Sequence, residues 1–209
     1  MPRPDWAPLT QAQFAALAGV SRETLDRLAA FGDLLRRWQV KINLVSRASL
    51  EDVWRRHFLD SAQLYPVIEN AACPLYDIGS GAGFPGLVLA IMGLGNVHLV
   101  EPDQRKAAFL REAARITGAK VELHVQRAQE LPPKSAGFIT ARACAPLPEL
   151  LDLAVPLLKP TGICLFLKGR EVEAELTAAR KTWTMRIQRI QSQSDPTGTI
   201  LRLEDLHRV

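Results

Sequence analysis

From Cys73 onward the chain alternates short apolar runs with longer helical stretches, and this limits the fold more than any other feature. Leu75–Ile78 and residues 97–101, 121–125, 138–141 and 163–167 read as strands, each a short apolar run bounded by polar residues, glycine or proline. Between them the pattern predicts a helix running through Met92, one over 103–117 closed by Gly118, one over 149–158 and one over 171–183. A strand that returns parallel to its predecessor needs a long crossover, and helices supply it. The pattern therefore predicts an α/β fold with a mostly parallel, doubly wound sheet. Residues 185–190 and 199–203 break the rule. Both alternate like strands and flank Asp195-Pro196-Thr197-Gly198, a turn sequence, which predicts a C-terminal antiparallel hairpin.

The first seventy residues read as helical. Thr10 and Gln13 form a capping box, Ser21 caps a second helix, and Leu25, Leu28, Ala29, Leu35 and Trp38 give that helix one apolar face. Ser49 and Asp52 resemble a capping box for a third helix, which must end near Pro66. We expect a helical lobe over 1–70 joined to an α/β domain over 71–209, the two forming one compact unit. With 209 residues, 47% of them hydrophobic, the chain can bury a sizeable core. No apolar run reaches the roughly 18–20 residues that span a bilayer, and MPRPDWAPLT lacks a basic region followed by an apolar core. Cys73, Cys144 and Cys164 have neither paired nor metal-ligand spacing. These features predict a soluble cytoplasmic protein with free thiols, no membrane anchor and no metal site.

Positive charge is localised. Net charges of +4 fall within residues 36–57 (Arg36, Arg37, Lys41, Arg47, Arg55 and Arg56 against Glu51 and Asp52) and again within 159–189. Clustered cations suit a phosphate-rich partner; a pair of solvated helix faces fits the charge alone equally well.

The densest chemical signal is Asp77-Ile78-Gly79-Ser80-Gly81-Ala82-Gly83-Phe84-Pro85-Gly86. A strand ends in an acidic residue, glycines then let the backbone turn sharply against a ligand, and Pro85 suits the start of the following helix, whose amides would face the same place. Gly81 to Gly86 is a literal G-x-G-x-x-G, so a dinucleotide remains one reading. Asp77 and Phe84 fit a cationic, methionine-like ligand such as S-adenosylmethionine better, because a carboxylate repels a diphosphate. Glu101, 22 residues after Gly79, can accept hydrogen bonds from two ribose hydroxyls under either reading. Ala128 and Gln129 follow the third strand and can edge an adenine. The fourth strand ends in Ala141-Arg142-Ala143-Cys144-Ala145-Pro146, without the Asn/Asp-Pro-Pro-Tyr/Phe motif of amino-group methylation. Arg142 would stand at the strand end where a cofactor's reactive end meets its substrate, and Cys144 reads as a small buried thiol. Lys168 and Arg170, with Lys41, Arg47, Arg55 and Arg56, are candidate phosphate contacts. His57, Asp60 and Ser61 share one helix face and read as a cluster tying the lobe to the core.

With these pieces placed, the sequence resembles the RsmG (GidB) family of 16S ribosomal RNA guanine-N7 methyltransferases. The matching stretches are Trp38 to Leu44, Arg56-His57-Phe58-Leu59-Asp60-Ser61, the run from Asp77 to Ala90, Leu99-Val100-Glu101, Arg105-Lys106 with Phe109-Leu110, Arg127-Ala128, Arg142-Ala143, and Leu158-Lys159-Pro160 through Lys168-Gly169. The resemblance implies a Rossmann-like methyltransferase fold, S-adenosylmethionine held by Gly79, Phe84, Ala128, Gln129 and Arg142, and a guanine in a loop of the ribosomal decoding region as substrate. The partner would be 16S ribosomal RNA or the small subunit, and the protein a monomer. Two departures stand out. Gln129 replaces a frequent glutamate, and Ala141 a frequent serine. Arg202 is the candidate for a basic residue expected in the final hairpin. A methyltransferase acting on another RNA, a small molecule or a protein, an NAD(P)-dependent oxidoreductase, and a non-enzymatic RNA chaperone are the competing readings.

Overall fold

The computed structural model describes residues 7–70, 72–142 and 144–209. The first six residues, weighed above for a leader, and Ala143 of the strand-end motif lie outside the described residues. Seven strands, β1 (Leu75–Ile78), β2 (Val97–Val100), β3 (Val121–His124), β4 (Ala136–Arg142), β5 (Leu158–Lys168), β6 (Trp183–Gln191) and β7 (Thr199–Arg208), form one sheet. Their order is β3-β2-β1-β4-β5-β7-β6. Pairing is parallel from β3 to β5, and β7 lies antiparallel to both β5 and β6.

Apolar residues alternate between the two faces. Leu75, Val97, Leu99, Phe138 and Leu165 join the cluster under helices α5 (Gly86–Ile91) and α6 (Gln104–Thr117). Tyr76, Ile78, Val100, Ile139 and Phe166 join the cluster under α7 (Leu147–Ala154) and α8 (Val172–Ala179). A period of two with both faces apolar is what a sheet covered on both sides requires. Asp103 caps α6 by accepting from the amides of Arg105 and Lys106, and Gly118, at φ 63°, closes it.

Several boundaries differ from the sequence expectation. The helix expected over 149–158 is α7, which ends at Ala154: Val155 keeps helical dihedrals as its C-cap, and Pro156 has no N–H to carry the ladder further. β5 starts at Leu158, paired with Ala136 across a register shift. The helix expected to run to Trp183 stops at Ala179, and Trp183 opens β6 opposite Arg208.

In the lobe, Thr10 caps α1 (Gln11–Ala18) with the full capping box and Ser21 caps α2 (Arg22–Gln39). The Ser49–Asp52 box does not form. Ser46 caps a short α3 (Arg47–Leu50), while Asp52 accepts from the Leu9 amide and pairs with Arg55. A π-helical turn, Trp54–Leu59, leads into α4 (Asp60–Ala62), and a 3-10 turn holds Pro66. Phe31 lies 6.1 Å from Phe109 and 5.4 Å from Phe84, ring centroid to centroid. Lobe and α/β domain thus share one hydrophobic cluster.

Candidate active site

β1 feeds the glycine loop, where Gly79, Gly81 and Gly83 take φ values of 67°, 56° and 87°. Side chains disfavour this region, so glycine is needed. Gly79 is doubly constrained, since a Cβ there would lie 2.5 Å from the Cys144 sulfur. Six of the amides between Gly79 and Gly86 are used internally. Gly79 and Ser80 donate to the Val100 carbonyl, Gly83 and Phe84 to that of Ser80, Gly81 to Glu101 Oε2 and Gly86 to Asp77 Oδ2.

Asp77 therefore does not face a ligand. It is fully buried, accepts from Thr140 Oγ1 (2.9 Å) and the Gly86 amide (3.1 Å), and stands behind the loop. Burial raises its pKa to about 6, against the lowering effect of bonds from Thr140, Gly86 and Ser80. Its place at the start of α5 is where a diphosphate would need free amides, so the dinucleotide reading loses its physical basis. Gly83 also lies outside the cavity wall, and a Cβ there would run into Leu87 and Leu110.

The loop forms the floor of a cavity of about 710 Å³. Gly79, Gly81, Phe84, Glu101, Ala128, Gln129 and Arg142, seven of the residues expected to touch the cofactor, line it. Its volume suits a nucleoside-sized ligand. Glu101 is 5% exposed, and its Oε2 and Oε1 accept from the amides of Gly81 (2.8 Å) and Asp103 (2.9 Å). Each carboxylate oxygen retains a lone pair for a ribose hydroxyl. The residues present fit a nucleoside with vicinal hydroxyls.

Sequence reasoning missed one wall. Leu44, Val45 and Ser46 close the cavity from the lobe side, and Lys106 borders it. Gln39 templates this segment: its Oε1 accepts from the Leu44 (2.9 Å) and Val45 (3.0 Å) amides, and its Nε2 donates to the Val45 carbonyl (2.8 Å). Only a glutamine in the resembling stretch hinted at it.

Arg142 is a clamp between sheet and lobe. One guanidinium nitrogen donates to the Arg56 carbonyl (3.0 Å) and Asp60 Oδ2 (3.2 Å), and the other to His57 Nδ1 (2.8 Å). The guanidinium carbon lies 4.8 Å from the centre of the Phe84 ring, on which His57 stacks at 4.6 Å. Guanidinium only donates, so His57 Nδ1 accepts and Nε2 carries the proton toward Ser49 Oγ, 2.9 Å away. Burial, with Arg142 and Arg56 adding to it, lowers the His57 pKa to about 2. Asp60 Oδ1 accepts from Ser194 Oγ (2.6 Å) and Gln63 Nε2 (3.1 Å), which fastens the β6–β7 turn to the same cluster. The tying role read for His57 and Asp60 matches this geometry, and Arg142 belongs to the same network.

A second cavity of about 570 Å³ opens beside the first, and the two share Arg56, Asp60, Arg142 and Cys144. Cys144 is exposed on this shared wall, contrary to the expected buried thiol, because the chain leaves the sheet after Arg142. Desolvation, helped by the charges of Asp77 and Glu101, holds its pKa above the usual thiol value.

The cations divide. Lys41, Arg47 and Arg170 are exposed, and Arg56 borders both cavities. Lys168 is a correction: its side chain is 6% exposed, its amine donates to the Ala145 carbonyl (2.9 Å) and Glu175 (2.6 Å), and it is no free phosphate ligand. Arg55 pairs with Asp52, Arg186 with Glu204 and Asp205, and Arg189 with Glu173. The two basic stretches exceed the chain's net charge, so its remainder is net acidic, and much of the second stretch is neutralised in the fold. Arg202 pairs with Glu69 and Glu204, away from both cavities.

A family model described as rRNA small subunit methyltransferase G (GidB) matches residues 24–197. The chain belongs to the GidB family. A protein named ribosomal RNA small subunit methyltransferase G from Rhodospirillum centenum is 56% identical over 193 residues, 92% of this chain and 89% of its own length. The same-named protein of Rhodospirillum rubrum is 52% identical, over 96% of this chain and 100% of its own. Among solved structures, a SAM dependent methyltransferase from Aquifex aeolicus aligns with TM-score 0.51 at 17% identity, covering 68% of this chain and 92% of its own. M. jannaschii TYW2, solved in complex with AdoMet, aligns with TM-score 0.54 at 14% identity, covering 81% and 80%. At these identities the structures show a shared methyltransferase fold. Among the described residues no helix is long and apolar enough to cross a membrane.

Proposed function

We propose that this GidB-family chain transfers a methyl group from S-adenosylmethionine to N7 of a guanine in 16S ribosomal RNA. Gly79, Gly81, Phe84, Ala128 and Gln129 would hold the cofactor, with Glu101 on its ribose hydroxyls and Arg142 at the junction with the second cavity. The target base would enter that second cavity. When bound, S-adenosylmethionine supplies an electrophilic methyl group on a sulfonium. Guanine N7 carries an in-plane lone pair and no proton, so the chain's task is to align nucleophile, methyl carbon and sulfur and to exclude water.

The observation that supports this reading is the wall shared by the cavities, where among the described residues no side chain is free to act as a general base; the carboxylates of Glu171, Glu175 and Asp195 line the second cavity alone. His57, behind it, is held neutral with Nδ1 occupied by Arg142. Asp60 is engaged by Arg142, Ser194 and Gln63, and Cys144 is held as the thiol. Methylation of an amine or hydroxyl needs a proton acceptor there, whereas N7 needs none. Methylation leaves positive charge on the purine, and the carboxylates of Glu171 and Asp195 in the second cavity can balance it.

Lys41, Arg47, Arg56 and Arg170 would grip the RNA phosphates. We place the protein in the cytoplasm as a monomer whose methyl transfer uses no metal ion. The test is incubation of small subunits from cells lacking the gene with the protein and S-adenosylmethionine, then mass spectrometry of nucleosides from 16S RNA. The expected product is 7-methylguanosine at one site. Methyl groups found only on exocyclic nitrogens or ribose, or none, would refute the assignment.

A further inference from the structure

Outside both cavities, the sheet brings together two histidines and a glutamate that neither the sequence pattern nor the proposed reaction uses. His98 lies on β2, and Glu122 and His124 on the edge strand β3. The register pairs His98 with Glu122 and Val100 with His124, so all three side chains project from one face. His98 Nδ1 stands 3.0 Å from His124 Nε2. Glu122 offers Oε2 3.5 Å from the first nitrogen and Oε1 3.5 Å from the second.

The two histidines stand at hydrogen-bond distance, and all three separations lie within about 0.4 Å of those between the ligands of a tetrahedral ion. Ligand atoms held about 2.0–2.1 Å from a tetrahedral ion lie about 3.3–3.4 Å from one another. The two imidazoles are 12% and 16% exposed, while Glu122 is 65% exposed and able to turn its carboxylate.

A second, independent feature points the same way. His98 Nε2 is 3.1 Å from Asn96 Oδ1, and Asn96 Nδ2 donates to the Ala72 carbonyl at 3.3 Å. The amide orientation is thereby fixed, so Asn96 Oδ1 accepts a proton from Nε2, and His98 Nδ1 presents its lone pair toward His124. An outer-shell acceptor that fixes the tautomer of a histidine is the usual companion of a metal ligand. Tyr76, 4.4 Å from the His98 ring, backs the cluster with an apolar surface.

We propose that His98, Glu122 and His124 bind one divalent transition-metal ion of the zinc class, leaving one coordination position for water. Imidazole and carboxylate ligands suit Zn²⁺, Co²⁺, Ni²⁺ and Cu²⁺ rather than Mg²⁺ or Ca²⁺. The ion staples the edge strand β3 to β2. β3 leads directly into the segment carrying Ala128 and Gln129, so the staple steadies one wall of the first cavity. This site stands apart from the proposed methyl transfer and survives if that reading fails.

The test uses the untagged full chain, stripped with chelator and titrated with Co²⁺ and separately with Zn²⁺ by calorimetry and absorption spectroscopy. One Co²⁺ per chain with the intense visible bands of a four-coordinate ion is expected, displaced by Zn²⁺. His124→Asn should weaken binding by roughly a hundredfold or more, and Asn96→Ala by about 10–100-fold. Glu122→Gln, a change at an exposed side chain that leaves folding intact, should also weaken it and abolish the four-coordinate spectrum. Absence of stoichiometric binding to the wild type would overturn the proposal. So would binding that survives both Glu122→Gln and His124→Asn unchanged, which would place the ion on cysteines or other histidines.

Discussion

Replacing Arg142 with alanine removes hydrogen bonds to Asp60, His57 and the Arg56 carbonyl at once, together with the guanidinium contact on the Phe84 ring. Removing one partner from a buried ion pair costs roughly 3–5 kcal/mol, because the other charge stays behind uncompensated. Asp60 keeps Ser194 and Gln63 as donors, and each side chain of the pair is 17% exposed, which places the loss at the lower end, about 3 kcal/mol. For a chain of this length a loss of 1 kcal/mol moves the melting temperature by about 2–4 °C, so a fall of about 6–12 °C is expected. The assay pairs thermal and urea unfolding with S-adenosylhomocysteine binding and methyl transfer. Arg142→Lys should recover part of the stability, since a single ammonium cannot reach all three acceptors in the guanidinium geometry. A double-mutant cycle with Asp60→Asn should show coupling above 1 kcal/mol, the range of groups within one network. Lost turnover at an unchanged unfolding midpoint would refute the clamp and leave Arg142 acting on substrate alone.

Stability should also respond to pH through two buried groups of opposite sign. The His57 pKa falls from 6.5 to about 2 in the fold, so the unfolded chain takes up a proton there that the folded chain does not, and stability is lost as pH falls below 6.5. Asp77, raised from 3.8 to about 6, contributes stability that is full below 3.8 and lost as pH rises through 6, so it offsets His57 between these values. Asp77→Asn removes the offset, and urea unfolding of that variant should lose about 1.4 kcal/mol per pH unit relative to wild type as pH drops from 6 to 4; a pH-independent difference would contradict it. Glu101→Gln should weaken S-adenosylhomocysteine binding roughly ten- to hundredfold, the worth of one or two charge-assisted hydrogen bonds, and calorimetry showing an unchanged Kd would remove Glu101 from the ribose site. Lys168→Met should lower the melting temperature and leave the salt dependence of RNA binding intact. Arg47→Ala and Arg170→Ala should each reduce the log–log salt slope by about 0.7–0.9, and a reduced slope for Lys168→Met instead would reverse their assignment.

Legibility in the sequence followed locality. The order of strands and helices, the caps at Thr10, Ser21 and Gly118, and the glycine loop depend on residues a few positions apart, and spacing displayed them. Element ends were less legible where a distant partner decided them: Leu158 extends β5 because Ala136 pairs with it, and Trp183 begins β6 opposite Arg208. The cavity residues at strand ends, Glu101, Ala128, Gln129 and Arg142, were readable because a parallel sheet gathers the carboxyl ends of its strands at one rim. The direction of a side chain at that rim was not readable. Asp77 is one residue from the loop yet turns inward, because Thr140 and the Gly86 amide satisfy its carboxylate there.

By itself, then, the sequence determined a doubly wound sheet ending in a hairpin, a glycine turn that admits close approach of a ligand, and membership in a methyltransferase family. Only the tertiary structure decided that Arg142 locks to His57 and Asp60 across more than eighty residues of chain, that Lys168 spends its charge on Glu175, and that His98 meets Glu122 and His124. Backbone preference acts over one or two turns of chain and is written in neighbouring residues. Charge pairing and coordination act across space, and which groups meet depends on how the strands and helices have already packed.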